Sequence, residues 1–153
     1  MGIVREERKR TMSKFTPEEI AYFQSQRFGR LATVSQKGEV HVVPVTFRYN
    51  PEHDSIDIGG HDIVQTKKYR DAVRHGRVAF VVDDILPSGK TRMLEVRGTV
   101  EALPEGGKEI VESFSPEILR ITPTHIISFG LTSDSVQPGQ GRARVDFSSR
   151  KVG

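Results

Sequence analysis

Leu31-Ala32-Thr33-Val34-Ser35-Gln36-Lys37-Gly38-Glu39-Val40-His41-Val42-Val43-Pro44-Val45-Thr46-Phe47-Arg48-Tyr49 is the stretch whose reading decides the fold. Leu31-Ala32-Thr33-Val34-Ser35 reads as a strand and Gln36-Lys37-Gly38-Glu39 as a turn. Residues 40–49 read as a second strand, with Val43, Val45 and Phe47 at every second position. Two β-rich runs joined by a short glycine-containing turn predict a hairpin. Pro44 has no N–H to give to a ladder, so it predicts a free edge or a bulge within that second strand.

Reading outward, the C-terminal side continues in the same manner. Asn50-Pro51-Glu52-His53-Asp54 is a further turn, and Ile56 and Ile58 mark a third strand that ends at Gly59-Gly60. Residues 65–74 have helical spacing and are closed by His75-Gly76. Residues 78–82 form a short apolar run expected as a buried strand, and residues 83–90 a loop with Pro87 and Gly89. Residues 93–103 predict a long strand, with Leu94, Val96 and Gly98 on one face and Glu95, Arg97 and Thr99 on the other. A helix is expected over residues 105–114 and a last strand around Ile126, Ile127 and Phe129. On the N-terminal side, Thr16-Pro17-Glu18-Glu19 combines a capping threonine, a proline suited to the first helical position and a glutamate that completes a capping box. That helix is expected to end near Phe28-Gly29.

The order is helix, three strands, helix, two strands, helix, strand. It favours a mainly β barrel with helices packed at its ends. Residues 1–14 read as a flexible N-terminal extension, residues 15–131 as the single folded domain and residues 132–153, rich in Ser, Gly, Gln and Arg, as a C-terminal tail.

Composition narrows the chemistry. With 153 residues, 35% of them apolar, one core is expected. The chain has no cysteine, which excludes thiolate nucleophiles, disulfides and iron–sulfur clusters held by cysteine. No apolar run is long enough for a signal peptide or a membrane span, and a cytoplasmic location is the expectation. The net charge of +3, from 23 basic and 20 acidic residues, suits an anionic small molecule or a weak nucleic-acid contact and proves neither. The run Arg5-Glu6-Glu7-Arg8-Lys9-Arg10 mixes signs, and Met12 could be the true start.

Among chemical motifs, the cluster Gln65-Thr66-Lys67-Lys68-Tyr69-Arg70 stands out, because it opens a helix just after a strand. Free N–H groups at a helix start favour anions, two lysines add point charges and Thr66 adds a hydroxyl. A solvated helix face is the commoner meaning of such a run taken alone. Gly59 and Gly60 let backbone approach a ligand, and they also simply end strands. None of the five histidines, His41, His53, His61, His75 and His125, has a partner at metal-ligand spacing, so no metal is expected. Asp83 and Asp84 read as solvated carboxylates at a strand end, and Arg142 and Arg144 as part of the tail. No Gly-x-Ser-x-Gly elbow is present. The absence of tryptophan argues against a stacking platform for nucleic acid.

The ordered set of Arg30-Leu31-Ala32-Thr33-Val34, then His41-Val42-Val43-Pro44-Val45, then Lys68-Tyr69-Arg70-Asp71-Ala72, then Arg77-Val78-Ala79-Phe80-Val81-Val82-Asp83-Asp84 resembles the pyridoxamine 5'-phosphate oxidase-like FMN-binding split-barrel superfamily. Within it, Glu95-Val96-Arg97-Gly98-Thr99 and residues 120–130 are similar to the branch of coenzyme F420-dependent enzymes. The likeness covers about residues 16–131.

This resemblance implies a six-stranded antiparallel split β-barrel that forms a homodimer, with a cofactor site at each subunit interface. It implies that Thr33, Val34, Val43, Pro44 and Val45 line the ring system, and that Gly59 and Gly60 border the same pocket. Lys68 would hold the cofactor phosphate with Thr66 and Lys67 close by, and the strand with Glu95 and Arg97 would supply a wall from the second subunit. The implied cofactor is coenzyme F420, with FMN as the alternative, and the implied activity is hydride transfer to a small electron-poor molecule. A flavin- or deazaflavin-binding protein without turnover is the remaining alternative. Two departures matter. Where pyridoxamine phosphate oxidase itself carries Arg-x-His, this chain has Arg144-Val145-Asp146, which argues against that reaction. Phe129 stands where the branch often has tryptophan.

Overall fold

A computed structural model describes residues 13–132 and 146–153. The run at residues 5–10, Met12, Arg142 and Arg144 lie outside the described residues. In order, the elements are α1 (Pro17–Ser25), β1 (Phe28–Val34), β2 (Val40–Asn50), β3 (Ser55–Gly59), a 3-10 turn (Ile63–Gln65), α2 (Lys67–His75), β4 (Arg77–Ile85), β5 (Thr91–Leu103), α3 (Gly107–Ile110), β6 (Ile118–Phe129) and β7 (Ser148–Lys151). The strands run in the order β3-β2-β1-β4-β5-β6-β7, and β3 also pairs with β6. That last pairing, Ile56↔Ile121, Asp57↔Arg120 and Ile58↔Leu119, closes six antiparallel strands into a barrel. The barrel expected from the sequence is therefore present.

The hairpin is built as the sequence predicts. Ser35 and Glu39 close it, with the Ser35 N–H donating to the Glu39 carbonyl at 2.8 Å. Gly38 takes φ +80°, the left-handed position this turn requires. β2 pairs β1 from Val40 to Thr46 but meets β3 only from Thr46 onward. Pro44 thus lies where β2 has no β3 partner, on a free edge that needs no donor from it.

Four boundaries differ from the sequence reading. α1 stops at Ser25, short of the expected end near Phe28-Gly29, and those two residues open β1 instead. β4 runs on to Ile85, because Asp83 and Asp84 pair across the ladder with Met93 and Arg92. The helix expected over residues 105–114 shrinks to Gly107–Ile110: Gly106 sits at φ +127°, and Gly107 packs so closely under Ser115 that a Cβ there would strike its carbonyl. The last strand begins at Ile118, eight residues before Ile126, and carries Pro123 at a bulge opposite Arg97 and Gly98.

The end of the chain, expected as tail, forms β7 at Ser148–Lys151. β6 gives one edge to β3 at Leu119–Ile121, and past that point the same edge would be bare. β7 fills it at His125–Ser128. Side chains fasten it at both ends. Asp146 accepts from the amides of Gly130 at 2.9 Å and Thr132 at 2.7 Å. Arg150 donates to both oxygens of Glu19 and to the Lys14 carbonyl at 2.8 Å.

Leu31, Val45, Phe47, Ile56, Ile58, Phe80, Val82, Leu94, Val96, Ile121 and Ile126 are buried inside the barrel. α1 begins with the expected capping box, with Thr16 and Glu19 bonding reciprocally at 2.9 and 3.1 Å. It carries Phe23 against Phe15 (5.3 Å between centroids), Phe47 (5.8 Å) and Phe80 (6.4 Å). Burying one such ring contributes about 2–3 kcal/mol.

Three carboxylates are held below their ordinary range. Burial pushes Glu19 up, but the Arg150 guanidinium and the Thr16 amide outweigh it. The Arg92 guanidinium lowers Asp84, which also accepts from the Tyr22 hydroxyl at 2.9 Å. Burial raises Asp146, and bonds from Thr132 and Gly130 more than offset it. A carboxylate lowered by folding contributes stability that is complete above its unfolded pKa and lost as pH falls through its folded one. The melting temperature is therefore expected to hold from neutral pH down to the ordinary carboxylate range and to fall below it. A melting temperature that rises on acidification through that range would contradict these pairings.

Candidate functional site

α2 and the β1–β2 turn line a cleft rich in charged side chains. Thr66 caps α2: its hydroxyl donates to the Ile63 carbonyl at 2.6 Å and accepts from the Tyr69 amide at 3.4 Å. Gly76 ends the helix at φ +81°. The amides of Lys67 and Lys68, in the first turn, have no backbone acceptor among the described residues. Lys67, Arg70, Asp71 and Arg74 follow helical spacing and share one face. Together with Ser35, Gln36, Lys37 and Glu39 they line a cleft of about 470 Å³.

The sequence-predicted cluster is thereby divided. Lys67 lies in the cleft and pairs with Asp71 at 3.0 Å. Lys68 follows one residue later, about 100° around the helix, and is half-buried outside that lining, with no ion pair among the described residues. Thr66 gives its hydroxyl hydrogen to the Ile63 carbonyl and caps α2 with its oxygen. Arg74 and the turn residues Ser35, Gln36, Lys37 and Glu39 were not among the expected site residues. The spacing of Lys67, Arg70 and Arg74 is a signal that finds one wall of the cleft. Only the tertiary fold brings the hairpin turn opposite it.

The strand residues separate by the two-residue alternation of a β-strand. Thr33, Val43 and Val45 point inward: Thr33 and Val45 are buried, and Val43 packs on the core. Val34 and Pro44 stand on the outer face, in cross-strand rows with Val40 and Arg30. Along that face Phe28, Val40 and Val42 are 59%, 75% and 65% exposed, and Ala79 and Val81 of β4 continue the apolar surface. Gly59 pairs with Thr46, six residues along β2 from Val40, or about 20 Å. Gly59 and Gly60 therefore lie far from the hairpin turn, against Phe114 and Ile63.

A cofactor with a planar ring and a phosphate finds matching chemistry here. The outer face of β1 and β2 offers flat apolar surface beside backbone that is free along part of the β2 edge. The start of α2 offers two amides and a lysine that have no partner among the described residues. Residues 15–129 match the pyridoxamine 5'-phosphate oxidase family.

This chain belongs to that family. The match agrees with the superfamily likeness carried by the ordered strand motifs. A 5a,11a-dehydrotetracycline/5a,11a-dehydrooxytetracycline reductase of Streptomyces rimosus is 41% identical to this family member over 122 residues, 78% of this chain and 86% of that protein. Among solved structures, a conserved hypothetical protein of Mycobacterium tuberculosis superposes with a TM-score of 0.61 at 20% identity, over 82% of this chain and 94% of that one. An FAD binding protein of Mycobacterium smegmatis superposes with a TM-score of 0.56 at 19% identity, over 74% and 93%. At those identities the two structures speak for the fold. No helix among the described residues is long and apolar enough to cross a membrane.

Proposed function

We propose that this family member is an oxidoreductase that uses a deazaflavin, coenzyme F420, to reduce a small, conjugated, electron-poor organic molecule, and that it does so as a homodimer. The observation that carries the reading is the 41% identity to a dehydrotetracycline reductase over most of both chains. An FMN-dependent oxidoreductase of the same fold is the second reading, favoured by the family match.

When bound, the reduced cofactor supplies a hydride to the substrate. The protein's own work is binding, orientation and exclusion of water. Lys68, with the first amides of α2, holds the phosphate as a charge-assisted anion site. Val34 and Pro44, together with Val40 and Val42, set the ring plane through their apolar outer face. Thr33, Val43 and Val45 act from beneath: packed into the core, they fix the strands on which that face stands. An apolar surface with valines this exposed is suited to coverage by a second copy, which also dries the site. The wall from the second copy is β5, whose outer face carries Glu95 and Arg97 as an ion pair at 2.8 Å.

Titration of the purified chain with FMN and with the deazaflavin, followed by ring fluorescence, tests this reading alongside a sedimentation measurement of the dimer. Tight binding of FMN alone would sink the deazaflavin assignment, and binding of neither would sink both. Lys68→Ala is expected to weaken cofactor binding by about 1.5–3 kcal/mol, the worth of a charged hydrogen bond. Unchanged affinity would remove Lys68 from the phosphate site.

A further inference from the structure

We propose that Asp71 and Arg74 are positioning residues: they lock α2 to the end of β1 and so set the distance between the start of that helix and the apolar face on which the cofactor ring lies. The proposal rests on the cofactor reading above and concerns how the two ends of that site are held together. The link is a chain of charges along one face of α2. Asp71, only 8% exposed, is met by Lys67 at 3.0 Å, four residues before it, and by Arg74 at 3.6 Å, three residues after it. Asp71 Oδ2 has no aligned hydrogen bond, so its burial depends on the two cations and in turn fixes where they stand. Arg74 Nη2 then donates to the Val34 carbonyl at 3.0 Å.

The ladder explains why that carbonyl is open to a side chain. The Ser35 N–H donates toward β2, to the Glu39 carbonyl. Backbone groups of successive strand residues point to opposite edges, so those of Val34 point toward β4. β4 pairs with β1 only at Arg30, Leu31 and Ala32, and Arg74 takes the place of the missing strand partner at Val34. This is the single hydrogen bond from α2 to β1 among the described residues. Ala72 and Tyr69 hold α2 against the core, but apolar contact has no direction and does not set register.

Register matters because the two ends of the site stand on different elements. Lys68 lies six residues from Arg74, or about 9 Å along the helix axis. Val34 carries its side chain on the outer face of β1, in the row with Val40. In FMN and in the deazaflavin alike, a flexible polyol chain joins the phosphate to the ring. An anchored phosphate therefore leaves the ring free to drift unless the protein fixes the separation. Hydride transfer tolerates little drift, since a misplacement of about 1 Å costs about a hundredfold in rate.

Arg74→Met and Asp71→Asn, with Arg74→Lys as the conservative variant, test this. Arg74 is exposed and asparagine keeps the shape of Asp71, and thermal melting checks that each variant folds. Calorimetry gives the affinity for FMN and for the deazaflavin, and time-resolved fluorescence anisotropy gives the mobility of the bound ring. The expected affinity is within about threefold of wild type, because Lys68 and the first amides of α2 are untouched. The bound ring is expected to gain a fast motion that wild type lacks and that Arg74→Lys suppresses in part. A ring as still in Arg74→Met and Asp71→Asn as in wild type overturns the proposal. So does a loss of affinity as large as that of Lys68→Ala, which would make these side chains binding residues. Wild-type protein that binds neither cofactor overturns the cofactor reading and this proposal with it, whereas wild-type binding with an unaltered ring in the variants overturns this proposal alone.

Discussion

Asp57→Ala lowers the unfolding free energy by about 3–5 kcal/mol, the range seen when one partner of a buried ion pair is removed. Asp57 is 2% exposed and sits in β3 at the seam that closes the barrel. Its four bonds use both oxygens. Oδ1 accepts from Arg120 Nε at 2.9 Å and from the Ser55 hydroxyl at 3.0 Å, and Oδ2 accepts from Arg120 Nη2 at 3.0 Å and Asn50 Nδ2 at 2.8 Å. Alanine removes all four at once and leaves the Arg120 guanidinium, its side chain 13% exposed, with only the more distant Glu101 and Glu109 carboxylates. Domains of this size have about 5–15 kcal/mol in total, so the variant stands near the limit of folding. Urea unfolding measures the loss, and Asp57→Ala/Arg120→Met is expected to recover part of it by removing the orphaned charge. A loss under about 1 kcal/mol would mean that the seam is held by apolar packing instead.

Arg150→Ala is expected to cost about 2–4 kcal/mol, somewhat less because Arg150 is partly solvated. Its partner Glu19 is 2% exposed, and burial of that carboxylate is tolerable only while the guanidinium bonds it. Losing Arg150 also frees the Lys14 carbonyl and loosens β7 from the start of α1. Thermal unfolding reads the stability, and hydrogen exchange at the β6 amides that face β7 reads the edge. Wild-type stability in Arg150→Ala would show that β7 is fastened by Asp146 and its backbone ladder alone. Glu19→Gln keeps the capping geometry and should lose less than Arg150→Ala, because a neutral amide leaves no buried charge unpaired.

The sequence made the barrel legible because most of its evidence is local. Alternation in residues 40–49, a turn glycine at Gly38, a capping box at Thr16 and Glu19, and a helix closed by Gly76 each need only a few neighbouring residues to be read. The helix expected over residues 105–114 failed for a long-range reason. The close approach of Gly107 to Ser115 depends on how β6 returns, and local propensity carries no trace of it. β7 failed likewise: Ser148-Ser149-Arg150-Lys151 has no strand signature, and it is a strand only because β6 offers it an open edge.

The candidate site divides along the same line. By itself the sequence determined that a basic helix start follows a strand, that Pro44 needs an edge or a bulge, that no thiol takes part, and which family the ordered strands resemble. Tertiary structure alone decided which charges act together. It set Lys67, Arg70 and Arg74 opposite Lys37 while leaving Lys68 on a neighbouring face, and it turned Val34 and Pro44 outward while burying Thr33 and Val45. The physical reason is that side-chain direction has a short period, two residues in a strand and 3.6 in a helix, whereas the surface a side chain finally faces depends on strands many residues away.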